Sequence, residues 1–184
     1  ITRGVAPRDH APPAGLVPTV FARVSPLSRR PAEPVAAVTH EDHRWQRCDV
    51  KATALLANVL ARIAAQREAA FEAILVRDDW VTEGAASNVF VVFDGEVLTP
   101  PEGPQMLSGI TRELVLEQLA ARGVPARVTP VSRAALEAAD ELWLTSSTKA
   151  IVPVVRLNGR AVGTGEPGPV WRAAVDDYLA RLPE

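Results

Sequence analysis

The sequence predicts an α+β fold, and three patterns carry that prediction. Two apolar runs end in dipeptides suited to tight turns, Asp94-Gly95 and Asn158-Gly159, which points to antiparallel hairpins. Other stretches repeat their apolar residues at helical spacing. Strands and helices are mixed without the regular alternation of a parallel βαβ array, and no internal repeat is present. With 47% apolar and 23% charged residues, the 184-residue chain has a globular balance.

The elements follow in chain order. Residues 1–34 are proline-rich, from Pro7 to Pro34, and read as irregular, apart from an alternating run at Val17–Val24 that reads as a strand. Clustered Pro and Arg cannot continue a helix or a central strand, so Ser25–Pro34 reads as a linker. A boundary there gives segments 1–28 and 29–184. Val35–Thr39 reads as a strand. Leu55, Leu56, Val59, Leu60, Ile63 and Ala64 recur at helical spacing in an Ala-rich stretch that begins near Lys51. Phe71–Arg77 is a short buried strand. Asn88–Phe93, Asp94-Gly95 and Glu96–Leu98 form a hairpin. Thr111–Arg122 is a helix stopped by Gly123. Arg127–Val131 is a strand, and Ser132 caps a short helix reaching Ala139. Leu142–Leu144 and Ile151–Leu157 are strands, the second turning at Asn158-Gly159 toward Ala161-Val162. Gly168–Arg181 closes the chain as an amphipathic helix.

Charge and composition exclude several function classes. The net charge is −2 and the basic residues are scattered, so neither nucleic acid nor an anionic membrane is an expected partner. No apolar stretch approaches the ~18 residues of a membrane-spanning helix. A single cysteine, Cys48, excludes an intramolecular disulfide and fits a reducing, cytoplasmic setting. The chain opens at Ile1 without a secretory pattern, and its only methionine is Met106. It therefore reads as starting inside a larger fold.

Five groups of residues carry chemistry. Lys51 is one of only two lysines, the other being Lys149. It stands where a turn gives way to an apolar helix, and partial desolvation there would make its amine nucleophilic. Glu83, on a turn before a hairpin strand, would need a cationic partner if buried, and a protonated pyridine nitrogen is one. In Leu107-Ser108-Gly109-Ile110-Thr111 a glycine and hydroxyls precede a helix, where free backbone N–H groups favour a phosphate. The simpler reading is an N-cap by Ser108 or Thr111. Thr145-Ser146-Ser147-Thr148 adds a run of hydroxyls that could complete a phosphate cradle. Arg8 and His10, two apart on an extended loop, could clamp a carboxylate. Each group alone is better explained as a solvated or structural feature. Together they make one list of parts: an amine, a ring-nitrogen partner, a phosphate cradle in two pieces and a carboxylate clamp. That list fits pyridoxal 5′-phosphate chemistry. A metal site at His40-Glu41-Asp42-His43 is a weaker idea than a solvated loop, and no metal is expected.

The segments Thr2–His10, Arg44–Lys51, Thr82–Gly84 with Ser87–Phe90, Gly109–Arg112 and Leu144–Thr148 resemble, in order and separation, the class IV (fold type IV) pyridoxal-phosphate aminotransferases. Within that family they are most similar to the D-amino-acid (D-alanine) aminotransferases. The resemblance implies the large C-terminal domain of that fold in residues 29–184. It implies the tail of a small N-terminal α/β domain in 1–28, with most of that domain lying before Ile1. It implies that Lys51 is the Schiff-base lysine and that Glu83 faces the pyridine nitrogen. Leu107 would lie against the ring, Arg44 near the cofactor, and Ile110, Thr111, Ser146 and Ser147 on the phosphate. Arg8 and His10 would hold the substrate carboxylate, reaching into the site of a neighbouring subunit in a homodimer. The implied reaction is transamination between a D-amino acid and a 2-oxo acid. A branched-chain L-aminotransferase, an aminodeoxychorismate lyase and a non-catalytic domain remain open as alternatives. The pattern departs from relatives at Ala85-Ala86, where serines are frequent, and at Lys149 after the hydroxyl run.

Overall fold

The computed structural model describes residues 1–26 and 32–181. The chain divides into two units, Ile1–Arg30 and Pro31–Glu184. The expected 28/29 boundary, and half of the Ser25–Pro34 linker, fall on residues outside the described ones.

The first unit is irregular. Among its described residues the backbone makes one isolated bridge, in which Thr2 N–H donates to the Thr19 carbonyl at 2.9 Å. Gly4 is required beside it: its φ is +106°, and a Cβ there would lie 2.2 Å from the Val17 carbonyl oxygen. The strand expected at Val17–Val24 does not form. Pro18 has no N–H to donate, and Val17, Val20, Phe21 and Val24 all stand exposed.

The second unit is built on one mixed sheet. Its described strands are β1 (Val35–Glu41), β2 (Glu72–Arg77), β3 (Trp80–Gly84), β4 (Asn88–Phe93), β5 (Glu96–Thr99), β6 (Ala126–Val128), β7 (Glu141–Ser146), β8 (Ala150–Leu157) and β9 (Arg160–Ala161). The helices are α1 (Leu56–Arg67), α2 (Ile110–Ala121), α3 (Arg133–Glu137) and α4 (Pro169–Ala180). The strand order is β3-β2-β1-β8-β7-β4-β5-β6, with β9 pairing to β8. Pairs β1·β2, β1·β8 and β5·β6 are parallel and the others antiparallel.

The apolar runs are continuous because the central strands are covered on both faces. In β4, Val89 and Val91 join a core with Ile74, Leu142, Leu144 and Leu136 of α3. The alternate residues Phe90 and Val92 join the opposite core, with Trp143, Val115 and Leu119 of α2 and Trp171 of α4. The β4–β5 turn has Asp94 and Gly95 at φ +46° and +78°, and the turn before β9 has Asn158 and Gly159 at +50° and +77°. Both match the expected hairpins.

Four expectations change. Glu83 lies inside β3, an edge strand, and not on a turn. The hairpin before it uses Asp78-Asp79, both at positive φ, a cue weaker than Asp-Gly. Helix α1 starts at Leu56, five positions after Lys51, and has no side-chain cap. Its expected apolar stripe is largely exposed, from Leu56 at 73% to Ile63 at 38%. Ala61 and Ala65 are instead the α1 residues that meet the sheet, at Val38, Ala73 and Leu75. Finally, the strand expected at Arg127–Val131 is the shorter β6.

Candidate active site

Three strand ends and one helix start converge in the second unit. Asn88 opens β4 and is the register partner of Thr145 near the end of β7. Asn88 Nδ2 donates to the Leu107 carbonyl at 2.8 Å and stands 3.4 Å from Glu83 Oε2. Leu107 N–H donates back to the same Glu83 oxygen at 3.1 Å. Two residues on, Gly109 is the N-cap of α2. The acid on β3, the loop at Leu107, the start of α2 and the hydroxyl-bearing end of β7 therefore meet around Asn88.

Behind Glu83 lies a buried ionic network. Arg44 pairs with Glu83 through Nη1. Its Nε and Nη2 grip the two oxygens of Asp42 at 2.9 and 2.8 Å, a planar fork that only arginine supplies. Nη2 also reaches the Gln105 carbonyl at 2.9 Å. Thr82 Oγ1 donates to Asp42 at 2.9 Å, and Arg77 adds a second cation to Asp42 at 3.2 Å. Burial pushes the Glu83 carboxyl above its usual range, and Arg44 and the Leu107 N–H offset this only in part. At Asp42 burial acts the same way, but the Arg44 and Thr82 contacts outweigh it and hold the carboxyl below its usual range. Burial disfavours the charge on Arg44, yet Asp42 and Glu83 more than compensate, and the guanidinium stays charged.

The expected site residues are distributed as follows. Glu83, Arg44 and Leu107 are brought together. Thr111 is buried in the first turn of α2, and Ile110 beside it is exposed. Neither Ser108 nor Thr111 caps α2: Ser108 Oγ turns to Glu102 and Glu113, and the helix has no side-chain cap. Ser146 ends β7 and Ser147 opens the exposed turn after it. Thr145, one residue earlier, is buried, and its hydroxyl has no hydrogen-bond partner. Lys51 is exposed in the described structure, contrary to the expected partial desolvation. Its loop is anchored nearby, because Cys48 N–H donates to the Pro104 carbonyl at 2.7 Å. That carbonyl belongs to the same loop that carries Gln105 and Leu107. Lys149 lies on the exposed turn between β7 and β8. Arg8 and His10 are exposed in the first unit, on a loop where Asp9 accepts from Ala11 N–H at 3.0 Å.

Sequence reasoning did not single out Asp42 or Asn88 as site residues. Each sits inside a quoted or considered motif, but its role depends on partners far along the chain. Asp42 turns inward to Arg44, and no group of three or more His, Cys, Asp or Glu among the described residues is arranged for a metal ion.

Residues 1–157 match the family model of amino-transferase class IV. The chain belongs to the class IV aminotransferases, and its sheet and helices have the fold type IV architecture. It is 42% identical to a D-alanine aminotransferase of Bacillus licheniformis, over 94% of this chain and 62% of that protein. A D-alanine aminotransferase of Staphylococcus haemolyticus is 39% identical, over 96% of this chain and 64% of that protein. The chain thus spans less than two thirds of the length of these relatives. Among solved structures, a branched-chain amino acid aminotransferase of Escherichia coli superposes with a TM-score of 0.72 at 27% identity, covering 82% of this chain and 52% of that one. One from Thermoproteus uzoniensis gives 0.73 at 29% identity, covering 80% and 51%.

Proposed function

We propose that this chain carries the cofactor-binding domain of a pyridoxal 5′-phosphate-dependent aminotransferase that exchanges amino groups between a D-amino acid, such as D-alanine, and a 2-oxo acid, such as 2-oxoglutarate. The observation that carries this reading is the meeting of Glu83, Leu107, the α2 start and the β7 hydroxyl end around Asn88, in a chain of this family. The D-amino-acid assignment rests on the relatives at 39–42% identity, which exceed the branched-chain structures in likeness.

The residues present fit the cofactor. Its ring nitrogen needs an acid kept from solvent, and Glu83 is buried beside one cation. Its phosphate needs donors, and α2 begins with backbone N–H groups that no side chain satisfies. The buried Thr145 hydroxyl, next to Ser146, lacks a partner. When bound, pyridoxal phosphate supplies a ring that draws electrons away from the substrate Cα. Lys51 would hold it covalently through Nζ, and once the substrate's amine had displaced that nitrogen, the freed Nζ would carry the proton that leaves Cα. Glu83 would keep the ring nitrogen protonated, with Arg44 steadying its carboxylate. Leu107 would lie against the ring. Ile110, Thr111, Ser146 and Ser147 would hold the phosphate. Arg8 and His10, supplied by a neighbouring subunit, would orient the substrate carboxylate and so decide which face of Cα meets Lys51.

We assign the chain to a homodimer. The apolar face of α1, with Leu56, Val59 and Leu60 at least half exposed, is the surface that a second copy would cover. A cytoplasmic setting fits the single, buried Cys48. No described helix is long and apolar enough to cross a membrane.

The deciding experiment is Lys51→Ala in protein supplied with pyridoxal phosphate. The variant should lack the visible absorption of the bound cofactor and should lose turnover of D-alanine with 2-oxoglutarate. L-alanine should be a poor substrate of the unaltered protein. A variant that keeps both the band and full turnover refutes the lysine assignment, and a preference for L-alanine refutes the D-specific one.

A further inference from the structure

We propose that Asn88 is the positioning residue of this site: it sets the placement of Glu83 relative to the start of α2. The inference rests on the cofactor reading above, since those two features would grip opposite ends of one ring-bearing phosphate.

Asn88 is 6% exposed and anchored, because Val89 and Phe90 directly after it are fully buried in the two cores. Its two amide atoms do different work. Nδ2 donates to the Leu107 carbonyl and points at Glu83 Oε2, while Leu107 N–H closes the ring onto that oxygen. Oδ1 faces the other way, against Gly109. A Cβ built on Gly109 would lie 2.1 Å from Asn88 Oδ1 and 3.3 Å from its Cγ. The Gly109 backbone, at φ −88° and ψ 130°, is open to any residue. Glycine is therefore required there by the space Asn88 occupies, and not by backbone conformation. Leucine at position 88 would lose the donor, and aspartate would set a second carboxylate against Glu83. Only asparagine, at this size, donates to the Leu107–Glu83 side and presents a bare oxygen to the helix start.

The test is a double-mutant cycle in the full chain, with Gly109→Ala, Asn88→Ala and the pair. Pyridoxal phosphate binding is followed by absorption and by quenching of protein fluorescence, and kcat and KM are measured for D-alanine. Gly109→Ala alone should weaken cofactor binding by roughly tenfold or more, because the new methyl must displace the helix start. In the Asn88→Ala background the same substitution should cost less than about threefold, since the methyl enters vacated space. Asn88→Ala alone should lower kcat by roughly 10- to 100-fold with KM within about threefold. Asn88→Asp keeps the shape and serves if Asn88→Ala does not fold. A second carboxyl beside Glu83 raises the pair's affinity for a proton, so the acid limb of kcat should move to higher pH. An equal Gly109→Ala penalty in both backgrounds overturns the inference, as does an unchanged kcat in Asn88→Ala or an unmoved acid limb in Asn88→Asp. Failure of the unaltered chain to take up cofactor would instead overturn the functional reading. The Asn88–Gly109 coupling is still read in that case by urea unfolding, where additive losses overturn the steric argument.

Discussion

Replacing Arg44 with methionine tests the network behind Glu83. The side chain is 5% exposed, and its partners Asp42 and Glu83 are 0% and 8% exposed. Methionine fills similar volume but leaves both carboxylates without their shared cation, and the Gln105 carbonyl without its donor. Breaking a buried pair from one side costs about 3–5 kcal/mol, and Arg77, still on Asp42, keeps the loss from the top of that range. The pH dependence follows from the carboxyls. In the unaltered chain Asp42 is held low, so its contribution is present above its unfolded value, about 3.9, and fades as pH falls through the lower folded value. Glu83 is held high by burial, so its charge opposes folding above about 4.3, and acid relieves that cost. Without Arg44 both carboxyls titrate higher in the folded chain, and the penalty keeps growing with pH from their unfolded values until pH passes the raised folded ones. Urea unfolding should therefore show the full loss near pH 7.5 and a loss smaller by about 1 kcal/mol or more near pH 5. A loss below about 1 kcal/mol at pH 7.5, or an equal loss at both pH values, would refute the argument that Arg44 neutralises two buried acids.

Two further substitutions probe other parts of the second unit. Gly168→Ala places a Cβ 2.1 Å from Glu141 Cδ, a carboxylate that accepts from Val170 N–H at 3.0 Å, Trp171 N–H at 2.8 Å and Trp143 Nε1–H at 3.2 Å. Displacing that cap should cost about 2–4 kcal/mol and lower Tm by roughly 4–12 °C, and a thermal melt shifted by less than about 2 °C would contradict it. Leu60→Glu charges the exposed face of α1: on the proposed homodimer reading it should shift sedimentation from dimer to monomer while leaving the far-ultraviolet spectrum unchanged, and a dimer that survives contradicts the placing of the interface on α1.

The contrast between Phe90 and Asn88 explains how much of this molecule was legible in its sequence. Strands buried on both faces betray themselves, because an unbroken run such as Asn88–Phe93 has few other uses, and Asp94-Gly95 marks where it must turn. That is why the hairpins, α2 and α4 were readable to within a residue or two. Strand β3 was not, since Trp80–Gly84 is half polar and its turn uses two aspartates. The exposure of α1 was equally hidden: helical spacing shows which residues share a face, and not whether anything covers that face. The site divides along the same line. Lys51, Glu83 and the hydroxyl run carry reactive groups that stand out in any sequence. Asn88 carries an ordinary amide, and its function arises only when folding brings the Leu107 carbonyl, 19 positions away, to its donor and the bare face of Gly109 to its oxygen. A residue that acts by fitting between two others has no local pattern to announce it. The glycine it excludes from substitution does leave a trace, because Gly109 sits at a helix start in a conformation that never needed glycine.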